Sequence, residues 1–208
     1  MFGGNFQTWK LHSAQDYFMF FAYILAGVLV FWLIAKHMNK QRNHEKAVEK
    51  VSGRLKKICG KPGEVLKNAT LNLPEGKMTF DAVLMDKRGV YLVRTYGWGI
   101  KIYGTPDGAM WRREDAKRKE EFENPLLELK KGAAEITKVM EENGVQNLKV
   151  MPMVVFADNF QTPELYLGYG SFSTTYQELK NWYKKQSGVK EAQYDYDKVS
   201  SIIKGLAK

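Results

Sequence analysis

Cysteine and histidine are scarce in this chain, and their scarcity excludes several kinds of chemistry. The single cysteine, Cys59, cannot form an intramolecular disulfide and suits a reducing compartment. All three histidines lie at or before residue 44, so residues 62–208 contain neither histidine nor cysteine. We therefore expect no Ser-His-Asp or Cys-His catalysis and no Cys/His zinc site in that region. The sequence also has no GxxxxGK[ST] phosphate-binding loop.

Residues 17–35 form one long apolar run with no charged, Asn or Gln side chain. At about 1.5 Å per residue, a helix of this length spans nearly all of the roughly 30 Å hydrocarbon layer of a bilayer. A cleaved signal peptide is the alternative, but its apolar core of about 7 to 15 residues follows a basic start and ends in small residues. This run is longer, starts nearly neutral and ends in IAKHMNK. We therefore expect a transmembrane helix.

Basic residues are concentrated directly after the apolar run. Residues 36–61 contain nine Lys or Arg and two Glu, a net charge of +7 out of a formal +9 for the chain. The positive-inside tendency predicts a single-pass protein of the cell membrane, with its N-terminus outside and its globular part in the cytoplasm. Anionic lipid is the expected partner of the following residues: Lys36, Lys40, Arg42, Lys46, Lys50, Arg54, Lys56 and Lys57. The charge alone does not distinguish lipid from nucleic acid, which is also a polyanion.

These patterns divide the chain into four predicted segments. They are a short extracytoplasmic N-terminus (1–16), the transmembrane helix (17–35), a basic amphipathic juxtamembrane helix (36–61) and a globular domain (62–208). The juxtamembrane segment has apolar residues at three- and four-residue spacing: Val48, Val51, Leu55 and Ile58. Cys59 ends this helix as a packing or lipid-proximal residue, and its palmitoylation is an open alternative.

The remaining sequence alternates strand patterns with helix patterns. Strands are predicted at 64–73, 78–86, 90–96, 100–104, 109–113, 149–157 and 165–169. A helix starts at Asn124-Pro125 and ends at Asn143-Gly144, and two more lie near 173–187 and 195–207. The charged stretch between the fifth strand and Asn124 is predicted as a solvated excursion. The expected fold is an α/β domain with a mixed β-sheet, flanking helices and one core.

The second and third strands contain charges inside otherwise apolar sequence. If DKRG closes a two-residue hairpin, Asp86 faces Gly89 and Asp81 lies opposite Arg94. A bulged turn would shift this register by one residue. A buried charge that loses its partner costs about 3 to 5 kcal/mol, so we expect the two residues to pair. A purely structural salt bridge is one complete explanation of this pair.

The order of five short motifs resembles the nuclease-related domain family, NERD, a branch of the restriction-endonuclease-like superfamily. They are FDAVL, GVYLVRTYGWGIKIYG, a tryptophan, NPLLELKKG and MVVFA, and the resemblance covers roughly residues 44–206. The family's pattern has an Asp strand, a Gvfvi-E-x-K strand, G-x-i-x-G, a Trp, NP-x-x-Q and a vvvF strand. The resemblance therefore implies a restriction-endonuclease-like fold.

Carried over by position, Asp81 matches the family's metal-binding Asp. Arg94 stands where the family has the Glu of E-x-K, and Tyr96 stands where it has the Lys. Asn124 and Pro125 are retained, whereas Glu128 replaces the usual Gln. The family's helix acid corresponds to Glu45 or Glu49, and the sequence does not distinguish them.

These departures predict a lost metal site. In the superfamily two acids hold Mg²⁺, and the Lys orients the attacking water or stabilises charge on phosphorus. Arg94 would repel a metal, because a guanidinium stays protonated near neutral pH. Tyr96 offers a neutral donor at pH 7 in place of an ammonium. We expect no cofactor, with Mg²⁺ or Mn²⁺ required only if the protein is an active nuclease.

Three functions remain open for such a domain at a membrane. The first is a binding module, whose ligand is DNA, RNA or a membrane-protein partner. The second is an active nuclease with displaced catalytic residues. The third is a structural scaffold without a ligand. Candidate binding residues are Trp98, Lys101, Trp111, Asn124 and Glu128; the tryptophans have stacking faces for bases or act as core anchors. Candidate displaced residues are Asp86, Glu64 and Asp107 for the carboxylate and Lys101 for the lysine.

Overall fold

The computed structural model describes residues 13–41, 44–97, 99–115, 118–158, 162–186 and 194–207. The chain divides into two compact units, Met1–Lys40 and Gln41–Lys208. In chain order the helices are α1 (Ala14–Gln41), α2 (His44–Cys59), α3 (Pro125–Glu142), α4 (Leu179–Gln186) and α5 (Tyr196–Leu206). The strands are β1 (Glu64–Leu73), β2 (Gly76–Asp86), β3 (Gly89–Tyr96), β4 (Lys101–Gly104), β5 (Met110–Glu114), β6 (Lys119–Glu123), β7 (Val150–Phe156), β8 (Glu164–Leu167) and β9 (Ser173–Thr175).

Helix α1 carries the long apolar run. It begins with a reciprocal cap, in which the Asp16 N–H donates to Ser13 Oγ at 3.2 Å and the Ser13 N–H donates to Asp16 Oδ2 at 3.0 Å. The stretch Ala14–Lys36 has a mean hydropathy of 2.5 and none of it is buried. Its length and composition suit a membrane anchor or a signal sequence.

The second unit contains two mixed sheets. The first has the order β1-β2-β3-β7-β9, in which β1, β2 and β3 are antiparallel and β7 and β9 run parallel to β3. The second has the order β6-β5-β4-β8, with β8 parallel to β4. The mixed α/β class with flanking helices is thus confirmed, and its strands form two sheets because β4 pairs with β5 and β8 rather than with β3.

Each face of the first sheet is covered by its own hydrophobic cluster. One cluster joins the sheet to α3, α5 and the second sheet through the buried residues Leu92, Leu129, Ile136, Val154 and Ile203. The other joins the opposite face to α2 and α4 through Val51, Leu55, Val93, Val155 and Leu179. Strands buried on both faces explain why residues 80–86 and 90–93 are almost continuously apolar.

Helix α2 packs on the sheet as part of the second unit. Ala47, Val48, Val51 and Leu55 are buried along one side of it, the stripe that the three- and four-residue spacing predicts. The basic segment therefore contributes a core helix to the second compact unit, Gln41–Lys208. Cys59 is half-buried at the end of α2, and burial raises the pKa of its thiol.

Two short strands lie where the sequence predicts other structure. In the predicted solvated excursion, β6 pairs antiparallel with β5, and Phe122 lies opposite Trp111. β6 is an edge strand with mostly exposed charged residues, so its sequence has no strand-like apolar alternation. The helix predicted near 173–187 is in fact β9 followed by α4, because Ser173, Thr174 and Thr175 pair with β7.

Helix α3 matches its prediction: the Asn124 side chain caps it and accepts the Leu126 N–H.

Candidate functional site

Asp81 lies in β2 at a point where both neighbouring ladders are interrupted. The β1–β2 pairing omits the Asn68–Asp81 pair, and Asn68 has a left-handed φ of 49°. The β2–β3 ladder ends at Ala82 and Val93. Beyond this point the Thr95 N–H donates to Asp81 Oδ2 at 2.6 Å. Asp81 is only 5% exposed. Its carboxylate therefore accepts the Thr95 N–H in place of a main-chain carbonyl, where β2 and β3 separate.

Arg94 contacts Asp81, as the hairpin register predicts. Asp86 faces Gly89 in a two-residue turn, and Arg94 Nη1 lies 3.6 Å from Asp81 Oδ1. Arg94 Nη2 donates to Glu128 Oε2 at 2.7 Å and to the Thr79 carbonyl oxygen at 3.1 Å. The guanidinium thus bridges two carboxylates, one from β2 and one from the first turn of α3.

His44 is a site residue that the sequence analysis missed. It is the first residue of α2, and its Nε2 lies 3.4 Å from Asp81 Oδ1. The two residues form an ion pair when the imidazole is protonated. His44 precedes residues 62–208, the region without histidine, and it reaches Asp81 because α2 belongs to the same compact unit. The helical spacing contained the signal, since His44 precedes the buried Ala47 and Val48 by three and four residues.

Tyr96 is held in an aromatic cluster beside this network. Its ring stacks on Phe156 with centroids 5.6 Å apart, and it contacts Phe122 at 5.1 Å. Desolvation by burial raises the pKa of Tyr96 above its usual value, against a smaller opposite effect of the Arg94 charge. The side chain at the position of the family's Lys is therefore a half-buried phenol, neutral at pH 7, that packs against the core.

The residues of this site do not fit a divalent metal ion. Mg²⁺ prefers oxygen ligands in near-octahedral geometry, commonly with carboxylates among them. Here Asp81 and Glu128 both face the permanent positive charge of Arg94, and the other Asp81 oxygen accepts the Thr95 N–H. Among the residues that the structure describes, no group of three His, Cys, Asp or Glu side chains is arranged to hold a metal.

Other candidate residues have structural partners. Asn124 Nδ2 donates to three carbonyl oxygens of the β4–β5 loop, the shortest at 2.7 Å to Gly108. Trp111 is 1% exposed and its Nε1 donates to the Thr105 carbonyl oxygen at 2.8 Å, a position that suits a core anchor and leaves no face for a base. Lys101 lies 3.8 Å from Glu164 at the surface. Trp98 lies outside the described residues.

Each candidate displaced carboxylate is engaged by partners of its own. Asp86 accepts the Tyr183 hydroxyl and the Arg88 N–H. Glu64 pairs with Lys204 at 2.7 Å, and Asp107 pairs with Lys130 at 3.1 Å. Glu45 and Glu49 are exposed on α2, and the choice between them as the family's helix acid stays open.

The basic residues after the apolar run occupy different surroundings. Lys36 lies over the ring of Trp32 at 4.5 Å, whereas Lys46 and Lys56 are exposed on α2. Lys50, Arg54 and Lys57 line a groove of the second unit. Arg42 and the Lys40 side chain lie outside the described residues. Lipid contact by these residues stays a prediction.

The comparisons with known proteins agree with the motif order. The family model described as nuclease-related domain, NERD, matches residues 40–157, which include α2, Asp81, Arg94 and the whole of α3. An uncharacterized protein of Bacillus anthracis is 32% identical over 112 residues, which is 52% of this chain and 52% of that protein. The chain therefore spans about half the length of this curated relative. No solved structure matches the chain significantly.

Proposed function

Because the chain belongs to the nuclease-related domain family, we propose that it is a membrane-anchored protein with a restriction-endonuclease-like domain that has lost metal-dependent hydrolysis. Its remaining role is binding, with nucleic acid as the first candidate ligand and a protein at the membrane as the second. The apolar helix α1 is the anchor, and the second unit lies on the cytoplasmic side. The N-terminus is outside the cell.

The position of Arg94 is the observation that carries this proposal. A metal site for phosphodiester hydrolysis gathers negative charge around the cation. Here the charge of Arg94 lies 2.7 Å from Glu128 and 3.6 Å from Asp81, so each acid that could serve a metal already faces a cation. The guanidinium does not lose its proton near neutral pH. Arg94 thus supplies, as part of the chain, the positive charge that an active enzyme takes from a metal.

The choice of nucleic acid rests on charge and on the family. Helix α2 alone carries five Lys or Arg against two Glu, and phosphate backbones bind such surfaces in a salt-dependent way. The protein partner and the ligand-free scaffold remain outcomes of the test. An active nuclease is the competing function, because Asp81 is retained next to His44.

Cleavage and binding are tested on the full chain in neutral detergent micelles. We expect no cleavage of plasmid, single-stranded DNA or RNA with Mg²⁺ or Mn²⁺, and binding of labelled DNA or RNA that weakens as salt rises. Metal-dependent cutting that EDTA and Asp81→Ala both abolish would refute the loss of hydrolysis. A folded sample that neither cuts nor binds nucleic acid would leave the protein partner or the scaffold.

A gain-of-function variant tests the role of Arg94 directly. Arg94→Glu places a third carboxylate beside Asp81 and Glu128, so we expect it to bind Mn²⁺ in calorimetry and to gain thermal stability when Mn²⁺ is added. The wild type should show neither effect. Lys138→Glu, at an exposed position of α3 ten residues after Glu128, makes the same kind of sign change about 15 Å further along the helix and is the control. Equal Mn²⁺ binding by the two variants would contradict the proposal.

A further inference from the structure

A groove runs between α2 and α4 beside the β2–β3 turn, on the sheet face that these two helices cover. Its volume is about 770 Å³, within the usual range of about 300 to 1,000 Å³ for small-molecule sites. Six basic side chains from three parts of the chain line it: Lys50, Arg54, Lys57, Arg88, Lys180 and Lys184. Glu49 is the one acidic residue in its lining.

Two tyrosines hold the arginines of this groove in place. Arg54 lies 4.6 Å over the Tyr176 ring and donates to the Gln177 carbonyl oxygen at 3.3 Å. Arg88 lies 4.2 Å over the Tyr183 ring and donates to the Tyr183 carbonyl oxygen at 3.0 Å. A guanidinium stacked on a ring keeps donors at its edge for an anion. Because these side chains are already ordered, binding costs less conformational entropy.

The balance of charge in the groove favours an anionic ligand. Like charges repel one another, by about 1 kcal/mol for two unit charges at 4 Å even in water, and six basic side chains line this one groove. A ligand with several negative charges removes this repulsion and gains attraction to each cation. Phosphate groups match the arginine fork through paired hydrogen bonds and match lysine as a point charge.

We propose that this groove binds clustered phosphate groups, carried by a compact soluble oligophosphate or by anionic phospholipid headgroups. The groove is concave and bounded by two helices and a turn, which suits a compact ligand rather than an extended nucleic-acid backbone. The inference does not depend on the loss of hydrolysis at Asp81. Its variants lie outside the Asp81 site, so a loss of phosphate binding is distinguishable from a gain of hydrolysis. Nucleic-acid binding through α2 would share Lys50, Arg54 and Lys57 with this groove, and the duplex test below separates the two ligands.

The test measures binding of sodium tripolyphosphate to the full chain by calorimetry, in nanodiscs of neutral phosphatidylcholine. Lys57→Gln with Lys180→Gln removes one exposed charge from each helix of the groove. Lys67→Gln with Lys138→Gln removes two exposed charges from β1 and α3 and is the matched control. We expect saturable one-to-one binding, weakened about tenfold or more by the groove pair and less than about twofold by the control pair.

Two further arms identify the source of the phosphate. In nanodiscs containing phosphatidylglycerol, weaker tripolyphosphate binding to the wild type but not to the groove pair indicates that headgroups occupy the groove. Unchanged binding indicates a soluble ligand. The proposal is overturned if tripolyphosphate does not bind saturably, or if both lysine pairs weaken its binding equally. Tighter binding of a short DNA duplex that the groove pair also weakens would overturn it in favour of a nucleic-acid track.

Discussion

Replacing Arg94 by glutamine tests how the buried charge of Asp81 is stabilised. Arg94→Gln removes the guanidinium from between Asp81 and Glu128. It keeps a side chain that can donate to the Thr79 carbonyl oxygen, which lies 3.1 Å from Arg94 Nη2 in the wild type. The Asp81 side chain is only 6% exposed, so water replaces the lost partner poorly. Removing one partner of a buried pair costs about 3 to 5 kcal/mol. We expect the lower value, because the Thr95 N–H still donates to Asp81.

The assay is thermal unfolding of the full chain in neutral detergent, followed by near-ultraviolet circular dichroism. For a folded unit of this size, about 3 kcal/mol corresponds to a fall in Tm of about 6 to 12 °C. Asp81→Asn together with Arg94→Gln should cost less than the sum of the two single changes, because the buried charge is then absent.

An exposed ion pair provides the control. Lys130 lies 3.1 Å from Asp107, closer than Arg94 lies to Asp81, but both side chains are well exposed. Lys130→Gln should therefore lower the free energy of unfolding by less than about 1 kcal/mol. If Arg94→Gln is no more destabilising than Lys130→Gln, then burial does not set the strength of the pair and the reasoning is wrong.

Three further predictions concern the same unit and use the same unfolding assay. Tyr183→Phe removes the hydroxyl that donates to the buried Asp86 and should cost about 1.5 to 3 kcal/mol; an unchanged Tm would show that this hydrogen bond contributes little. Gly89→Ala should lower the free energy of unfolding by about 1 to 3 kcal/mol, because a Cβ at φ 149° would overlap the carbonyl oxygen of Lys149. An unchanged Tm would contradict the close approach of β3 to the start of β7. Burial raises the pKa of Tyr183 and Tyr96 in the folded protein. Their contribution to the free energy of unfolding is therefore complete below about pH 10, the pKa of an unperturbed tyrosine. It is lost as pH rises from there through the folded-state pKa values. Tm should fall above about pH 10, less steeply in Tyr183→Phe, and a flat profile to pH 11.5 would refute this.

The geometry around Asp81 was predictable because a short local pattern determines it. DKRG closes a two-residue turn, and the register of such a hairpin follows from the turn itself. Asp86 then faces Gly89, and Arg94 is brought to Asp81. Helix α3 was predictable for a similar reason, since Asn124 caps the next residues and Pro125 starts the helix. In both cases the residues that decide the structure are neighbours in sequence.

The contact with Glu128 and the division into two sheets depend on interactions between distant parts of the chain. Glu128 reaches Arg94 only because α3 packs on the face of β3 that presents Arg94. β4 pairs in parallel with β8, about 60 residues later, and local periodicity does not specify the partner of a parallel strand. The strand β6 has one apolar anchor, Phe122, among charged residues, so its pairing with β5 prevails over its local composition.

The two charged regions of the second unit differ in how their charge is balanced. At Asp81, the guanidinium of Arg94 faces two carboxylates, and the His44 imidazole lies beside one of them, so the positive charge of Arg94 is already compensated inside the protein. In the groove, six basic side chains and one acidic side chain, Glu49, form part of the lining. A ligand with several negative charges gains most where positive charges are gathered, because it replaces repulsion with attraction. The electrostatics therefore favour binding of anions in the groove over binding at the Asp81 site, which is the expected arrangement if the domain has kept a binding role without hydrolysis.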